Sequence, residues 1–525
     1  MIDVVGSRTL RDLIRERAER HPDKDFLVFE DRAGQVTTCT YAELLRNVER
    51  VAQRFRDLGV GKGDAVVLHL SNCPEFLYCW LGLAWSGAVA VPSNTANTLP
   101  ELVHVVGFSE AVAVITSPGH KELVESARAG LPAVRHVVLA RDEAATPGTV
   151  RIDDWLGTAP VSGDREDPAV AAEDVAQMVF TSGTTSRPKA VLLTHANYLH
   201  SGEREARCSG VDQDDRLITA LPLFHVNAQS NTVLAALSVG GTCILLEEYR
   251  ATKFWSQVRR HRATAVSLVA MQLRTLLAQP TAATDRDHAV RRNIYAINVS
   301  DAEKESFEYR FGLELVNGYG LSEAMTIVTA APVFGEKRWP SIGLPASDRT
   351  IRIVDEAGAD CPPGVPGELL VSGVPGRTLM KGYFKDPVAT AEAMSDGWLR
   401  TGDNAFLDEK GYVYFYDRRK DIIKRAGENI SASEVESVLV QHAAVAEAAV
   451  IGVADPIRDE AVKAFVVLEA GAALSEEEIV AHCRDQLAGF KVPTIVEFLP
   501  ALPKTSIGKI EKKLLRQASE TAAPA

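Results

Sequence analysis

The spacing of hydrophobic positions changes along the chain, and each change predicts an element. Leu10, Leu13, Ile14 and Ala18 keep a helical period after Thr9, and Pro22 closes that segment. Thr40 and Glu43 have the spacing of a capping box. The helix they start has Leu44, Leu45, Val48, Val51, Ala52 and Phe55 as its apolar face and Gly59 as its stop. A strand is predicted over 65–70, a helix from Glu75, a strand over 88–91, a helix over 99–108 and a strand over 111–115. The apolar run 76–91 is broken at Ser86-Gly87 and ends at Pro92, which predicts a buried helix turning into a buried strand rather than a membrane span. Helices alternating with buried strands predict parallel sheets covered by helices.

The stretch 141–174, rich in Pro, Gly, Ala and acidic residues, reads as a surface excursion. Strands are then predicted over 217–221, 242–246 and 264–269, with a helix from about Asn227 and another before the last strand. Beyond Arg338, short strands over 350–354 and 368–371, separated by Pro362-Pro363-Gly364, predict a small β-rich subdomain. Charge concentrates at Asp417-Arg418-Arg419-Lys420-Asp421, where a new unit begins. That unit has capped helices at Ser433/Glu436 and Ser475/Glu478, and strands over 448–453 and 462–468. The expected fold class is α/β: a large N-terminal domain of helix-covered sheets (1–418, β-rich over about 338–418), then a smaller, mobile α+β domain (419–525) of ordinary size.

Composition narrows the function. A chain of 525 residues exceeds one ordinary domain, and 46% hydrophobic with 24% charged residues is globular usage. A formal net charge of -13 argues against nucleic acid as a partner. The seven cysteines are scattered, odd in number and without C-x-x-C, so neither a disulfide framework nor a zinc site is indicated, and a cytoplasmic protein with reduced thiols is expected. The first residues lack a basic region followed by an apolar core, so no secretory signal is expected.

Five segments carry candidate chemistry. Thr181-Ser182-Gly183-Thr184-Thr185-Ser186-Arg187-Pro188-Lys189 lies between two apolar runs; hydroxyls, free backbone N–H groups and a lysine suit a polyphosphate, although a polar hairpin has the same composition. It lacks the G-x-x-x-x-G-K-[ST] spacing of the common phosphate loop. Gly318-Tyr319-Gly320-Leu321-Ser322-Glu323 offers a ring for an adenine and a carboxylate for magnesium. Thr401-Gly402-Asp403, after a strand end at Trp398-Leu399, is compatible with ribose binding or with a turn-initiating aspartate. Leu221-Pro222-Leu223-Phe224-His225 puts a histidine at a strand tip, as a ligand contact or a structural group. Pro503-Lys504-Thr505-Ser506-Ile507-Gly508-Lys509 presents a lysine on a loop, either solvated or delivered to a carboxylate–phosphate centre.

The order of these segments resembles the adenylate-forming superfamily of acyl-CoA synthetases, nonribosomal adenylation domains and luciferases, over roughly 9–515. It is most similar to crotonobetaine/carnitine–CoA ligase-type enzymes, through Thr181–Lys189 with Ser186, through Asn298-Val299-Ser300-Asp301-Ala302-Glu303-Lys304 and through Ile457-Arg458-Asp459-Glu460-Ala461. The resemblance implies an enzyme using ATP, Mg²⁺ and coenzyme A. The carboxylic acid becomes an acyl-adenylate, and a thiol then displaces AMP. Thr181, Ser182, Gly183, Thr184, Thr185 and Lys189 would hold phosphates. Ser300, Asp301 and Ala302 would lie at the adenine edge, followed by Asn317, Gly318, Tyr319, Gly320, Leu321 and Ser322. Glu323 would bind magnesium with Thr184. Asp403 and Arg418 would face the ribose, Lys420 would be the hinge, and Lys509 would serve adenylation. His225 would sit where acyl and thiol tunnels meet. Arg425, Ala426, Gly427, Glu428 and Asn429 would serve the thioester step. His225, Val226, Asn227, Ala270, Met271, Asn298, Gly320 and Met325 would line a mixed pocket for a medium-sized or functionalised acid. None of them is an aspartate placed for a substrate amine.

The family's loop usually has glycine where Ser186 and Ala190 stand, so Ala190 needs a backbone open to non-glycine residues. Few residues follow Lys509, so a carrier protein as thiol donor is expected to act in trans. Transfer to another nucleophile, or a non-catalytic nucleotide-binding regulator, would share these motifs, while intact Glu323, Asp403 and Lys509 favour a catalyst. A homodimer is a family-level expectation.

Overall fold

Two large sheets, each parallel at its centre and antiparallel at an edge, organise the N-terminal part. The structure is a computed structural model that describes residues 3–142, 149–156, 167–181, 189–296, 299–418, 421–425, 428–455, 459–487, 489–504 and 509–522. The chain divides into two units, one comprising 1–183, 187–350 and 371–399 and the other 351–370 and 400–525.

In the first unit, strands Asp25–Glu30, Thr242–Leu246, Arg216–Thr219, Ala265–Val269, Arg292–Ala296 and Val316–Gly320 run parallel in that spatial order. Antiparallel strands Val36–Thr40 at one edge and Ile327–Ala330 with Leu344–Pro345 at the other complete nine strands. The second sheet has a parallel run of six: Val175–Thr181, Val89–Pro92, Ala65–His69, Ala113–Thr116, His136–Leu139 and Val150–Arg151. Lys189–Thr194 and then Gly382–Tyr383 extend it antiparallel. The flanking segments of the Thr181–Lys189 loop are thus hairpin arms, paired from Val175↔Thr194 to Thr181↔Lys189. Ala190 is an ordinary strand residue opposite Phe180, so no glycine is needed there.

Helix Pro74–Ser86 is buried from Phe76 onward, and among the described residues no helix is long and apolar enough to cross a membrane. The capping box Thr40/Glu43 forms as expected, and the helix it starts buries Leu44, Val48, Val51, Ala52 and Phe55; Leu45 is only half-buried and Tyr41 takes a place in the core. The surface reading of 141–174 is corrected in its described part. Val150–Arg151 adds an edge strand, and Trp155 is buried with its ring edge-on to Phe55 at 5.1 Å, because one large apolar residue suffices to anchor a polar segment.

In the second unit, strands Gly367–Ser372, Trp398–Leu407 and Val413–Arg418 belong to one small sheet edged by Ile351–Val354. The other sheet is built on the long hairpin of Val445–Asp455 and Asp459–Leu468, flanked by Ile422–Arg425, Glu428–Ser431 and Ile495–Phe498. Period-two alternation feeds two cores. Val450, Val462, Ala464 and Val466 pack against the helices Ala432–Leu439 and Glu476–Gln486, while Ala449, Ile451 and Phe465 face Leu502 and Leu515. Ser475/Glu478 caps its helix as expected. The other cap is corrected: Ser431, not Ser433, accepts from Glu434 N, and Glu436 is used elsewhere.

Candidate active site

The nine-stranded sheet presents its candidate residues where strands end. Val316–Gly320 carries Asn317, Gly318 and Tyr319; the Asn317 amide donates to Ser341 O at 3.1 Å, and Tyr319 is half-exposed opposite Thr329. A Cβ at Gly320 would lie 2.1 Å from Thr326 O, so only glycine lets the turn 321–326 fold back this closely. Leu321 N donates to Thr326 O at 3.1 Å, and Ser322–Ala324 form one 3₁₀ turn that raises Glu323.

Glu323 is held from a segment the motifs do not include. Tyr383 Oη donates to its carboxylate at 3.0 Å, and Met380 N donates to Glu323 O at 2.8 Å. Lys189 Nζ stands 4.6 Å from the centre of the Tyr383 ring. One aromatic ring thus joins the lysine that ends the phosphate-loop candidate to the carboxylate of the Gly-Tyr-Gly segment. Burial and the adjacent Glu323 charge push the Tyr383 hydroxyl well above its ordinary value, so it acts as a proton-bearing donor. The antiparallel pairing of Gly382–Tyr383 with Val191 and Leu192 fixes the ring's place.

Helix His195–Ser209 supports this turn from below. Its Thr194/Asn197 capping box also reaches forward, since Thr194 Oγ1 donates to Gly376 O and the Asn197 amide donates to Arg377 O and Leu379 O. Arg204 makes a bidentate pair with Asp348 at 2.7 and 2.6 Å and donates to Met325 O at 2.6 Å. Arg349 donates to Thr378 O at 2.7 Å and to Ala324 O. Met325 is therefore wholly buried among these anchors.

His225 closes the loop after Arg216–Thr219 and precedes Val226–Ala228, where the helix continues as a π-turn through Gln229–Leu234. Two side chains fix this loop. Asn72 accepts from Leu223 N at 2.8 Å and donates to Leu221 O and Leu246 O, both at 3.0 Å, while the Gln229 amide donates to Leu223 O at 2.7 Å. His225, Val226 and Asn227 are half-buried; Ala270 is buried and Met271, at the start of its helix, is 43% exposed.

Ser300 is committed locally: its hydroxyl accepts from Glu303 N at 3.2 Å, and Ser300 N donates to Glu303 Oε2 at 2.7 Å, a capping box for helix Asp301–Phe311. Asp301, which accepts from the Trp339 indole at 2.5 Å, and Ala302 are exposed on that helix's first turn.

In the second unit, Asp403 is buried within strand Trp398–Leu407, directly opposite Arg418. The strand does not end at Leu399 as expected; Gly402, at φ +70°, passes through it as a kink. Arg425 is turned inward, donating to Phe490 O at 2.6 Å. Lys509 is exposed, next to the Lys504↔Ile510 bridge. Ser182, Gly183, Thr184, Thr185, Asn298, Lys420, Ala426 and Gly427 lie outside the described residues, and of Arg418, Glu428 and Asn429 only the backbone is described.

Among the described residues no three His, Cys, Asp or Glu side chains cluster to hold a metal. Glu323, oriented by Tyr383, fits magnesium, which keeps its waters and takes one or two carboxylates beside substrate phosphates.

Known proteins resemble this chain along nearly its whole length. The AMP-binding enzyme family matches residues 14–384, and the AMP-binding enzyme C-terminal domain matches 434–509. A crotonobetaine/carnitine–CoA ligase from Salmonella paratyphi A is 39% identical over 517 residues, covering 98% of this chain and 100% of that protein. Among solved structures, the anthranilate CoA ligase AuaEII with anthranoyl-AMP superposes with a TM-score of 0.87 at 26% identity, covering 98% of each chain. Bacillus subtilis o-succinylbenzoate CoA synthetase (MenE) with its acyl-adenylate superposes at 0.84 and 28% identity, covering 99% of each. The chain belongs to the AMP-binding enzyme family, the adenylate-forming acyl-CoA synthetases. Its activity is that of an ATP-dependent, AMP-forming acyl-CoA ligase.

Proposed function

We propose that this ligase activates a medium-sized or functionalised carboxylic acid other than an amino acid. The acid's carboxylate attacks the α-phosphorus of ATP in line, the bond to pyrophosphate breaks, and an acyl-adenylate forms. The coenzyme A thiol then attacks the acyl carbon, and AMP leaves with the former carboxylate oxygen. Lys189 and the loop before it meet the phosphates; Tyr319 stacks on adenine; Asp403, with Arg418 beside it in register, takes the ribose hydroxyls. Bound magnesium, held by Glu323 and Thr184, would neutralise polyphosphate charge. Lys509 donates to the oxygens that gain charge in the first half-reaction. The second half-reaction uses 425–429 of the same unit, exchanged for Lys509 by rotation at Lys420. The acid is lined by His225, Val226, Asn227, Ala270 and Met271; Met325, wholly buried, is not among them. A cytoplasmic site of action accords with seven free thiols.

The observation that carries the nucleotide side of this reading is the Tyr383 ring, which holds Glu323 and lies under Lys189. Pyrophosphate release should be measured over an acid panel that includes crotonobetaine, carnitine, anthranilate, benzoate and o-succinylbenzoate, with and without coenzyme A. The expected result is one acid class giving a coenzyme A thioester. AMP formation without a thioester points to a carrier protein or another acceptor, and silence across the panel overturns the substrate class.

A further inference from the structure

Glu205, on helix His195–Ser209, is wholly buried under the turn 321–327. Its carboxylate accepts from Thr326 Oγ1 at 2.5 Å and from Ile327 N at 3.3 Å. Asn231, in the π-turn, reaches it from the other side, and its amide can be turned in either of two orientations. In one, its nitrogen donates to both Glu205 oxygens at 2.5 and 3.1 Å and its oxygen faces the Asn227 amide at 3.2 Å. In the other, its oxygen faces Glu205 and its nitrogen donates to Asn227 Oδ1 at 3.2 Å. Ser267 Oγ also donates to Asn227 Oδ1, at 3.3 Å.

We propose that Glu205 is a positioning residue for acid binding, acting through Asn231 to set which end of the Asn227 amide faces the bound acid. This rests on the reading of Asn227 as part of the acid pocket. The chemistry of the chain follows from donor and acceptor counts. An ionised carboxylate only accepts, so it takes the Asn231 nitrogen, and the Asn227 amide must turn to donate to the Asn231 oxygen. A protonated carboxyl donates to the Asn231 oxygen, and the Asn231 nitrogen is left to hold Asn227 Oδ1. One proton on Glu205 therefore reverses the polarity of a three-residue chain, and Asn227 presents its donor end to the acid in one state and its acceptor end in the other.

The groups facing Glu205 keep both states within reach. Burial raises the carboxyl to about 7, against the Thr326 hydroxyl, the Arg204 charge and the Ile327 N–H, which favour the anion, while Asp348 opposes it. Cys208, on the same helix, is kept a neutral thiol by burial, and Arg349 completes the charged surroundings.

The test compares wild type, Glu205→Gln and Asn231→Leu. Infrared difference spectra of the unliganded enzyme across neutral pH should show a protonated-carboxyl band that is absent in Glu205→Gln and retained in Asn231→Leu. With the panel acid of highest turnover, the wild-type KM for acid should change at least ~3-fold between about pH 6 and pH 8. The KM of Glu205→Gln should stay near the wild-type low-pH value, because glutamine also donates to Asn231. Asn231→Leu should lose the pH dependence while keeping the carboxyl band. KM for ATP should not move in either variant. Absence of the band overturns the proposal whatever the panel shows. A band that titrates while the acid KM profile survives in Glu205→Gln overturns the link to acid binding alone, and parallel shifts in both KM values reduce Glu205 to a structural role.

Discussion

The turn that carries Glu323 and the segment that carries Lys509 are built on opposite plans. Three consecutive backbone carbonyls of the turn are gripped: Met380 N binds Glu323 O, Arg349 binds Ala324 O, and Arg204 binds Met325 O. Two of these supports are buried charges, so the carboxylate is preorganised at the expense of desolvation. Lys509 is exposed instead, and its anchors lie in the helix C-terminal to it. In that helix, Lys512–Ala522, Lys512 pairs with Glu436 at 2.8 Å and Arg516 with Asp421 at 2.5 Å, and Leu515 is buried. The group proposed to hold magnesium is fixed rigidly. The group proposed to serve one half-reaction is left exposed, with its anchoring placed in the adjoining helix.

The buried plan breaks most sharply at Arg204. Arg204→Met leaves Asp348 and Met325 O without their partner and should cost about 3–5 kcal/mol. Urea unfolding measures this, and a loss below about 1 kcal/mol would mean that solvent screens the pair. Glu205 belongs to the same layer but is an acid whose folded value is raised from 4.5 to about 7. Its contribution to stability is fully present below about 4.5 and is lost as pH rises through about 7. Glu205→Gln removes that loss, so its stability relative to wild type should climb by about 3 kcal/mol across this window, in the variant's favour at high pH. A pH-independent difference between the two would show that the carboxyl does not titrate there.

On the exposed plan, Lys509→Ala should lower adenylation by at least ~10²-fold, read by ATP–pyrophosphate exchange, while sparing thioester formation from supplied acyl-adenylate. Equal loss in both steps would remove Lys509 from its assigned half-reaction. Its exposure predicts no more than about 0.5 kcal/mol of stability change, which separates it from the buried group.

The difference between the plans also decides what the sequence can disclose. Elements set by neighbours in the chain are legible. The capping boxes at Thr40/Glu43 and Ser475/Glu478 form, and the predicted helix 99–108 and strand 242–246 have their predicted bounds. Where two local solutions compete, tertiary contacts choose. Ser431/Glu434 and Ser433/Glu436 have the same spacing, and Ser431 caps because Glu436 turns inward to Lys512 and Val450 N. The Asp25–Glu30 strand escapes the pattern because nearly every position in it is buried, leaving no alternation to read. The motif residues of the site stand out by order. Their supports do not, since Tyr383 lies 60 residues from Glu323 and Glu205 lies 121 from Thr326, and nothing in their own neighbourhoods marks them.

The smallest effect is the one that best sharpens the comparison. Glu436 accepts from Lys512 Nζ at 2.8 Å and from Val450 N at 2.7 Å, and the Glu436 and Lys512 side chains are only 19% and 14% exposed. Burial raises the Glu436 carboxyl, and the Lys512 charge holds it down. Glu436→Gln keeps the contact with Val450 N but leaves a neutral partner for Lys512, three residues past Lys509. The attachment of the lysine segment should loosen while the rest of the unit stays folded, since the cores around Val450 and Phe465 are untouched. Adenylation should fall about 3-fold, thioester formation from supplied acyl-adenylate should not change, and hydrogen exchange should quicken over 509–519 alone. Faster exchange spread over the whole hairpin Val445–Leu468, with both half-reactions impaired, would mean that Glu436 supports the unit rather than the aim of Lys509.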